Sequence, residues 1–302
     1  MSKPLAFQIK VPGSTANLGP GFDSIGLAVG RYLRLEAVKA DSWSFHYVNQ
    51  PAFRPALENN LIYVTARKIA DEHGKTLPAY SVDVFNDIPL SRGLGSSGSA
   101  IIAGIELANV LLDLNLSLED KSWMACRTEG HPDNVTASLY GGLVISTQSK
   151  TRVTSVRLPA PKFDLVTTIP NFELKTSEAR KALPTTMPFK QAIEASSIGN
   201  VLVAALLSED GVSAGKMMES DKFHQPYRAK LIPDMDEITH IARENGAFGT
   251  FLSGAGPTVM SLVSKDKSAN LCSLLQKRFK DYECIVLEPV NVGVQTRIAS
   301  AK

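Results

Sequence analysis

The chain has 302 residues, 44% of them apolar, and 32 basic against 30 acidic side chains leave a formal charge of +2. That is enough for one large or two ordinary globular domains, and too balanced for a nucleic-acid surface. Three widely spaced cysteines, Cys126, Cys272 and Cys284, make neither a disulfide framework nor a C-x-x-C site and read as buried free thiols. "MSKPLAFQIKVPG" lacks a signal peptide's apolar core, and the most apolar helical run, 100–112, is interrupted by Glu106 and too short for a bilayer. A cytoplasmic chain with neither a membrane nor a nucleic-acid partner is expected.

In chain order, Phe7 to Val11 is strand-like and runs into "PGSTANLGPGFDSIGLAV", a loop dense in Gly, Pro, Ser and Asn. "RYLRLEAVKA" and "YSVDVFNDI" alternate as half-buried strands, whereas "NNLIYVTARKIADEHG" has helical spacing ending at Gly74. A glycine loop at 91–99 opens a helix through Leu112, and a second helix runs from about Leu118 to Thr128. The polar turn "EGHPDN" and a Gly-Gly pair precede the strand "LVIST". "RLPAPKFD" marks a boundary near 160, dividing the chain into units 1–160 and 161–302. Beyond it come the strand "FDLVTTIP", helices over 176–182, 188–208, 211–220 and 234–245, a strand pair in "GTFLSGAGPTVMSLV", a helix over 268–280 and the strand "ECIVLEPV". This order fits two α+β domains better than regular β-α-β alternation.

The loop "PLSRGLGSSGSA" spells G-x-G-x-x-G at Gly93, Gly95 and Gly98. A dinucleotide fold needs its first glycine at the end of a strand and an acidic residue at a later strand tip. Here "PLSR" intervenes, and Asp113 sits at a helix end. Walker A fails as well, because Ser99 and Ala100 follow Gly98. What is left is a small-residue loop opening an apolar helix, with free N–H groups and the positive end of the helix dipole facing a guest, most naturally an anion. Ser96 and Ser97 can donate to oxygens or ligate magnesium, and Arg92 adds charge. The competing reading is a structural turn with a serine N-cap.

"PGSTANLGPGFDSIG" at 12–26 and "LSGAGPTV" at 252–259 share this composition, and three such loops suggest convergence on one ligand. In order and spacing they resemble the signature motifs of the small-molecule kinase family of galactokinase, homoserine kinase, mevalonate kinase and phosphomevalonate kinase, with Gly98 where Ala is commoner. "STANLGPGFDSIGLAV", "EGHPDNV", "HQPYRAKLIP" and "SGAGPT" resemble the homoserine kinase branch. The resemblance covers essentially the whole chain. It implies an N-terminal ribosomal-protein-S5-like domain and a C-terminal ferredoxin-like domain with the site in the cleft between them. It further implies ATP-dependent phosphorylation of L-homoserine in threonine biosynthesis, with magnesium required, and a homodimer is compatible with it.

Residue by residue, the resemblance implies that Ser91, Arg92, Gly93, Leu94, Gly95, Ser96, Ser97, Gly98 and Ser99 cradle the triphosphate, that Asn60 lines the adenine pocket, and that Ser97 with Glu129 holds the metal. Arg180 and Arg228 would hold the substrate carboxylate, as forked donors do well. Asn17 and Asp23 would receive its ammonium, and Thr176 would lie near its hydroxyl. Without the family pattern both arginines read as helix-surface residues and Glu129 as an exposed helix-end glutamate. His131 reads as shaping a tight turn. Asn134 stands where the wider family has an aspartate base; with Arg228 it is the catalytic candidate. A neutral amide takes no proton, but a loose phosphoryl-transfer transition state needs positioning more than a base. Asp133 is not expected to serve as base in its place. Three alternatives stand: a mevalonate-type kinase of the same family, an NAD-dependent oxidoreductase suggested by the glycine spelling, and a silent nucleotide-binding regulator, against which Ser97 and Glu129 argue.

Overall fold

The computed structural model describes residues 5–298; residues 1–4 and 299–302, the outer ends of the two expected units, lie outside it. In chain order the elements are β1 (Ala6–Ala16), β2 (Ile25–Lys39), β3 (Ser44–Tyr47), α1 (Leu61–Glu72), β4 (Tyr80–Asn86), α2 (Ser96–Leu112), α3 (Leu118–Glu129), α4 (Asp133–Tyr140), β5 (Leu143–Gln148) and β6 (Val153–Leu158). There follow β7 (Asp164–Ile169), α5 (Thr176–Lys181), α6 (Phe189–Leu207), α7 (Gly211–Glu219), α8 (Gln225–Arg228), α9 (Met235–Glu244), β8 (Gly249–Leu252), β9 (Val259–Val263), α10 (Lys265–Arg278), β10 (Glu283–Leu287) and β11 (Gln295–Ile298).

Two sheets form among the described residues. In the first, β11, β1, β2, β4 and β3 lie side by side, and β5 pairs with β2 and β6. At 15 residues β2 is long enough to pair with β4 through Leu33–Lys39 and with β5 through Ile25–Leu27. α2 packs on α1 and β1, and α4 packs on β1 and β2. The second sheet is antiparallel in the order β10-β7-β9-β8, with helices between β7 and β8 and between β9 and β10. That is the split β-α-β arrangement expected of a ferredoxin-like unit.

β7 explains why "FDLVTTIP" shows no alternation. Leu165 and Ile169 join the core shared with the first sheet, while Val166 points into a second core with Ile232, Ile238, Leu271 and Leu275. A strand covered on both faces loses the polar side of the period. Within the apolar α2, Glu106 is buried but neutralised by Lys121 Nζ at 2.6 Å, so the interruption seen in the sequence is a paired charge.

Several expectations are corrected. β1 continues through Gly13–Ala16, which the sequence reading assigned to loop; a bulge between Pro12 and Gly13 lets the strand resume pairing with Val29–Gly26. α4, missed as part of a turn, has Asp133 at its first position and buries seven residues. The strands β3, β6 and β11 were also missed, being short or largely exposed. β11 returns from the second sheet to pair with β1, so residues 295–298 belong to the first sheet although they follow the second in the chain. No helix among the described residues is long and apolar enough to cross a membrane.

Candidate active site

Three loops meet at one cavity: 17–24 after β1, 87–95 before α2, and 253–258 between β8 and β9. They are stitched together by backbone and side-chain hydrogen bonds. Ser14 N–H donates to Leu94 O at 3.1 Å, Ser253 Oγ donates to Gly93 O at 2.5 Å, and Thr15 Oγ1 shares a hydrogen bond of 2.8 Å with Ser253 Oγ. Asn17 Nδ2 donates to Gly254 O at 3.1 Å, and Gly254 N–H donates back to Ala16 O.

Gly95 is the N-cap of α2, with φ 72° and no side-chain cap, which excludes the serine-capped turn and leaves the first N–H groups of a 17-residue helix open. A Cβ on Gly95 would lie 2.2 Å from Ser14 Oγ and 3.1 Å from Asn134 Oδ1, so only glycine allows the loop this close to α4.

The loop borders a cavity of about 340 Å³. Ser91, Arg92, Gly93, Gly95, Ser96 and Ser97 line it; Leu94, Gly98 and Ser99 do not. Leu94 is fully buried behind the loop, Ser99 Oγ donates back to Ser96 O at 3.0 Å, and Gly98 faces Asn134 and Val135 of α4. Arg92 lines the wall, but its guanidinium is already engaged, donating to Asn171 O at 2.8 Å with Glu173 at 3.6 Å.

One end of the cavity is apolar. Leu33, Tyr47, Phe53, Pro55, Leu61, Ile62 and Leu90 form its walls, with Asn59, Asn60 and Asn86 at the edge. Asn60 spends its carbonyl on capping α1, accepting from the N–H groups of Ile62 and Tyr63, and its Nδ2 donates to the Tyr47 hydroxyl at 3.3 Å. Sequence reasoning found only Asn60 of this set, because aromatic residues on a short strand and loop carry no motif.

The opposite end concentrates charge. Ser97 Oγ donates to Glu129 Oε2 at 2.7 Å, joining the glycine loop to the end of α3. Burial raises the Glu129 pKa, against the hydrogen bond from Ser97 and the nearby His131 and Arg180 charges. Asp133 Oδ1 accepts from Asn134 N–H and faces His131 Nδ1, both at 2.7 Å. Burial alone would lower the His131 pKa, but that contact and the charges of Asp133, Glu129 and Asp23 outweigh it and raise it. Asn134 Oδ1 accepts from Ser14 Oγ at 3.0 Å, so the amide NH2 is the end still able to donate.

Arg180 holds Asp23 in a forked pair, with Nη1 and Nη2 donating at 3.0 and 2.7 Å. Asn17 Oδ1 accepts from Asp23 N–H at 3.0 Å and fixes that loop, while Thr176 opens α5 on the cavity wall. Arg228 is 2% exposed, not the surface residue its helical setting implied. Its donors go to Gly254 O at 3.1 Å and Ala179 O at 3.3 Å, and among the described residues no carboxylate pairs with it within 4.0 Å. Burial, chiefly, with the Arg180 charge beside it, lowers its pKa to about 10, which leaves it cationic at neutral pH.

Phe22 and His224 were not singled out from sequence. The Phe22 ring lies 5.5 Å from the Arg180 guanidinium and 5.1 Å from that of Arg228, and it stacks on His224 at 5.4 Å. His224 Nε2 donates to Gly19 O at 2.9 Å while Nδ1 faces Arg228, so α8 is tied to the first loop. Phe22 sits beside Asp23 in a recognised motif, which was the available signal. Asp23, His131 and Asp133 also bring ligand atoms within 4.8 Å of one another, but Arg180 and His131 already occupy those carboxylates.

Comparison with known proteins accords with this geometry. Residues 60–142 match the GHMP kinases N terminal domain and residues 202–281 match the GHMP kinases C terminal region. A homoserine kinase of Bacillus pumilus is 48% identical over 291 residues, covering 96% of this chain and 94% of that protein. The crystal structure of homoserine kinase from Cytophaga hutchinsonii superposes with a TM-score of 0.86 at 26% identity, covering 98% of this chain and 99% of that one. A mevalonate kinase of Methanococcus jannaschii, at 17% identity and a TM-score of 0.73 over 94% and 98% of the two chains, shares the fold. The chain belongs to the GHMP kinases and, within them, to the homoserine kinases.

Proposed function

We infer that the chain transfers the γ-phosphoryl group of ATP to the side-chain hydroxyl of L-homoserine, giving ADP and O-phospho-L-homoserine. The observation that carries this reading is the charge set beside the phosphate loop. Asp23 offers an anion to an ammonium group, and Arg180 and Arg228 offer forked donors to a carboxylate, at one end of the cavity whose other end is apolar. A mevalonate-type substrate has a carboxylate and a hydroxyl but nothing for Asp23.

The open N–H groups of α2 and the Ser96 and Ser97 hydroxyls receive the triphosphate, and the apolar end takes the base. Ser97 and Glu129 fit magnesium: two hard oxygen donors 2.7 Å apart, one on a half-buried carboxylate that no Lys, Arg or His pairs with within 4.0 Å among the described residues. When bound, that ion neutralises phosphate charge. The Asn134 NH2 donates to and orients the reacting hydroxyl. Asp133 is held by His131 and by the Asn134 N–H and serves as an anchor, and the hydroxyl proton leaves late, to phosphate or solvent. On this reading the partners are small molecules, with action in the cytoplasm, and a homodimer is compatible with it. Phosphorus NMR of a mixture of protein, ATP, magnesium and L-homoserine tests the reading: a new phosphomonoester resonance growing with ADP supports it, and ADP formed without one contradicts it.

A further inference from the structure

Asp23 and Arg180 are each about one-third exposed, both line the cavity, and they are bound to each other through two hydrogen bonds of 2.7 and 3.0 Å. Arg228 beside them has no carboxylate within 4.0 Å among the described residues. A ligand that takes the fork of either side chain therefore competes with the Asp23–Arg180 pair, and the outcome depends on the charges it brings. A carboxylate without an ammonium can draw Arg180 away only by leaving Asp23 unpaired beside the ligand's own negative charge. An amine without a carboxylate takes Asp23 and leaves two guanidiniums side by side. A zwitterion replaces both lost partners at once, with its ammonium on Asp23 and its carboxylate on Arg180 and Arg228.

We propose that the Asp23–Arg180 pair is a zwitterion filter, a mutual contact whose breaking only an amino acid compensates. The proposal rests on the reading of this cavity as an amino-acid site and adds how that class is selected. The local structure suits the exchange. Asp23 is the fixed partner, its N–H held by Asn17, whereas Arg180 sits near the end of the short α5 with the Phe22 face beneath its guanidinium. The filter works against hydroxy acids by stranding a charge, without any steric block.

The test uses two truncated substrates: 4-hydroxybutyrate, which is homoserine without its ammonium, and 3-aminopropan-1-ol, which lacks the carboxylate. Asp23→Asn suits the backbone, since φ is +53° there and asparagine tolerates that region. By calorimetry, Asp23→Asn should bind homoserine more weakly than the parent chain yet bind 4-hydroxybutyrate about fivefold more tightly, the change that ~1 kcal/mol corresponds to. Arg180→Gln should gain affinity for 3-aminopropan-1-ol in the same way. The 4-hydroxybutyrate gain should vanish in the double variant, because it comes from the freed guanidinium. If the parent binds homoserine but neither single variant binds its truncated ligand more tightly, the filter is wrong and the functional reading stands. A parent chain that does not bind homoserine overturns both.

Discussion

As the proposed metal ligand, Glu129 must have an ionised carboxylate to hold a cation, while burial favours its protonated form. Magnesium-dependent turnover should therefore decline on the acid side at a pH above that of an ordinary glutamate, as the raised pKa is crossed from above. Glu129→Gln should remove that limb and raise half-saturating magnesium on the order of a hundredfold, which magnesium titrations across pH will read. Arg228 poses a different problem, since Nε and Nη1 are anchored on the Ala179 and Gly254 carbonyls, while Nη2 and a charge with no carboxylate within 4.0 Å among the described residues face the ligand. Arg228→Lys keeps the charge and loses the fork, so the KM for homoserine should rise roughly tenfold or more while that for ATP stays within about twofold. Equal effects on both substrates in steady-state kinetics would count against the carboxylate assignment.

Among the elements, the decisive contact is between the start of α2 and the start of α4, where Gly95, Ser14 and Asn134 meet. Gly95→Ala adds a methyl group at a position with φ 72° and forces Ser14 Oγ off Asn134. It should cost ~1–3 kcal/mol in urea denaturation and lower kcat more than it raises the KM for homoserine. The α2 helix and its glycine loop were legible because small residues next to an apolar run admit few other structures. α4 was not, because "DNVTASLY" is short, holds its weak helix formers between a turn and two glycines, and owes its form to burial against β1 and β2. The Ser97–Glu129 link was legible only through the resemblance, since no local spacing joins residues 32 apart. Phe22 was unreadable for a related reason: a phenyl ring beside two guanidiniums is a product of tertiary packing. Phe22→Leu should raise the KM for homoserine severalfold, the size of a cation–π contact of ~0.5–2 kcal/mol, with Phe22→Tyr restoring it.

Across the whole molecule the site depends on the two sheets being held in register by polar ties: Asn17 to Gly254, Thr15 to Ser253, and His224 to Gly19. His224 makes that dependence measurable. Burial holds its pKa below the usual histidine value; Asp221 opposes this and the Arg228 charge adds to it. With the folded pKa depressed, the unfolded chain binds a proton that the folded chain does not, so stability is retained above the unfolded value. It should be lost as the pH falls from about 6.5, by at most ~1.4 kcal/mol per pH unit from this group. His224→Gln should flatten that slope in urea denaturation from neutral to mildly acidic pH. Two α+β units were foreseeable from element order, whereas the return of β11 to the first sheet was not, because a four-residue, largely exposed strand carries almost no hydrophobic pattern.

On this reading the three loops converge to phosphorylate a zwitterionic hydroxy amino acid. A coupled ADP-release assay across homoserine, mevalonate, galactose and serine tests it most directly. Magnesium-dependent ADP release with homoserine should lie far above that with the other three, and turnover of mevalonate or galactose at a rate equal to or above that with homoserine would overturn the assignment.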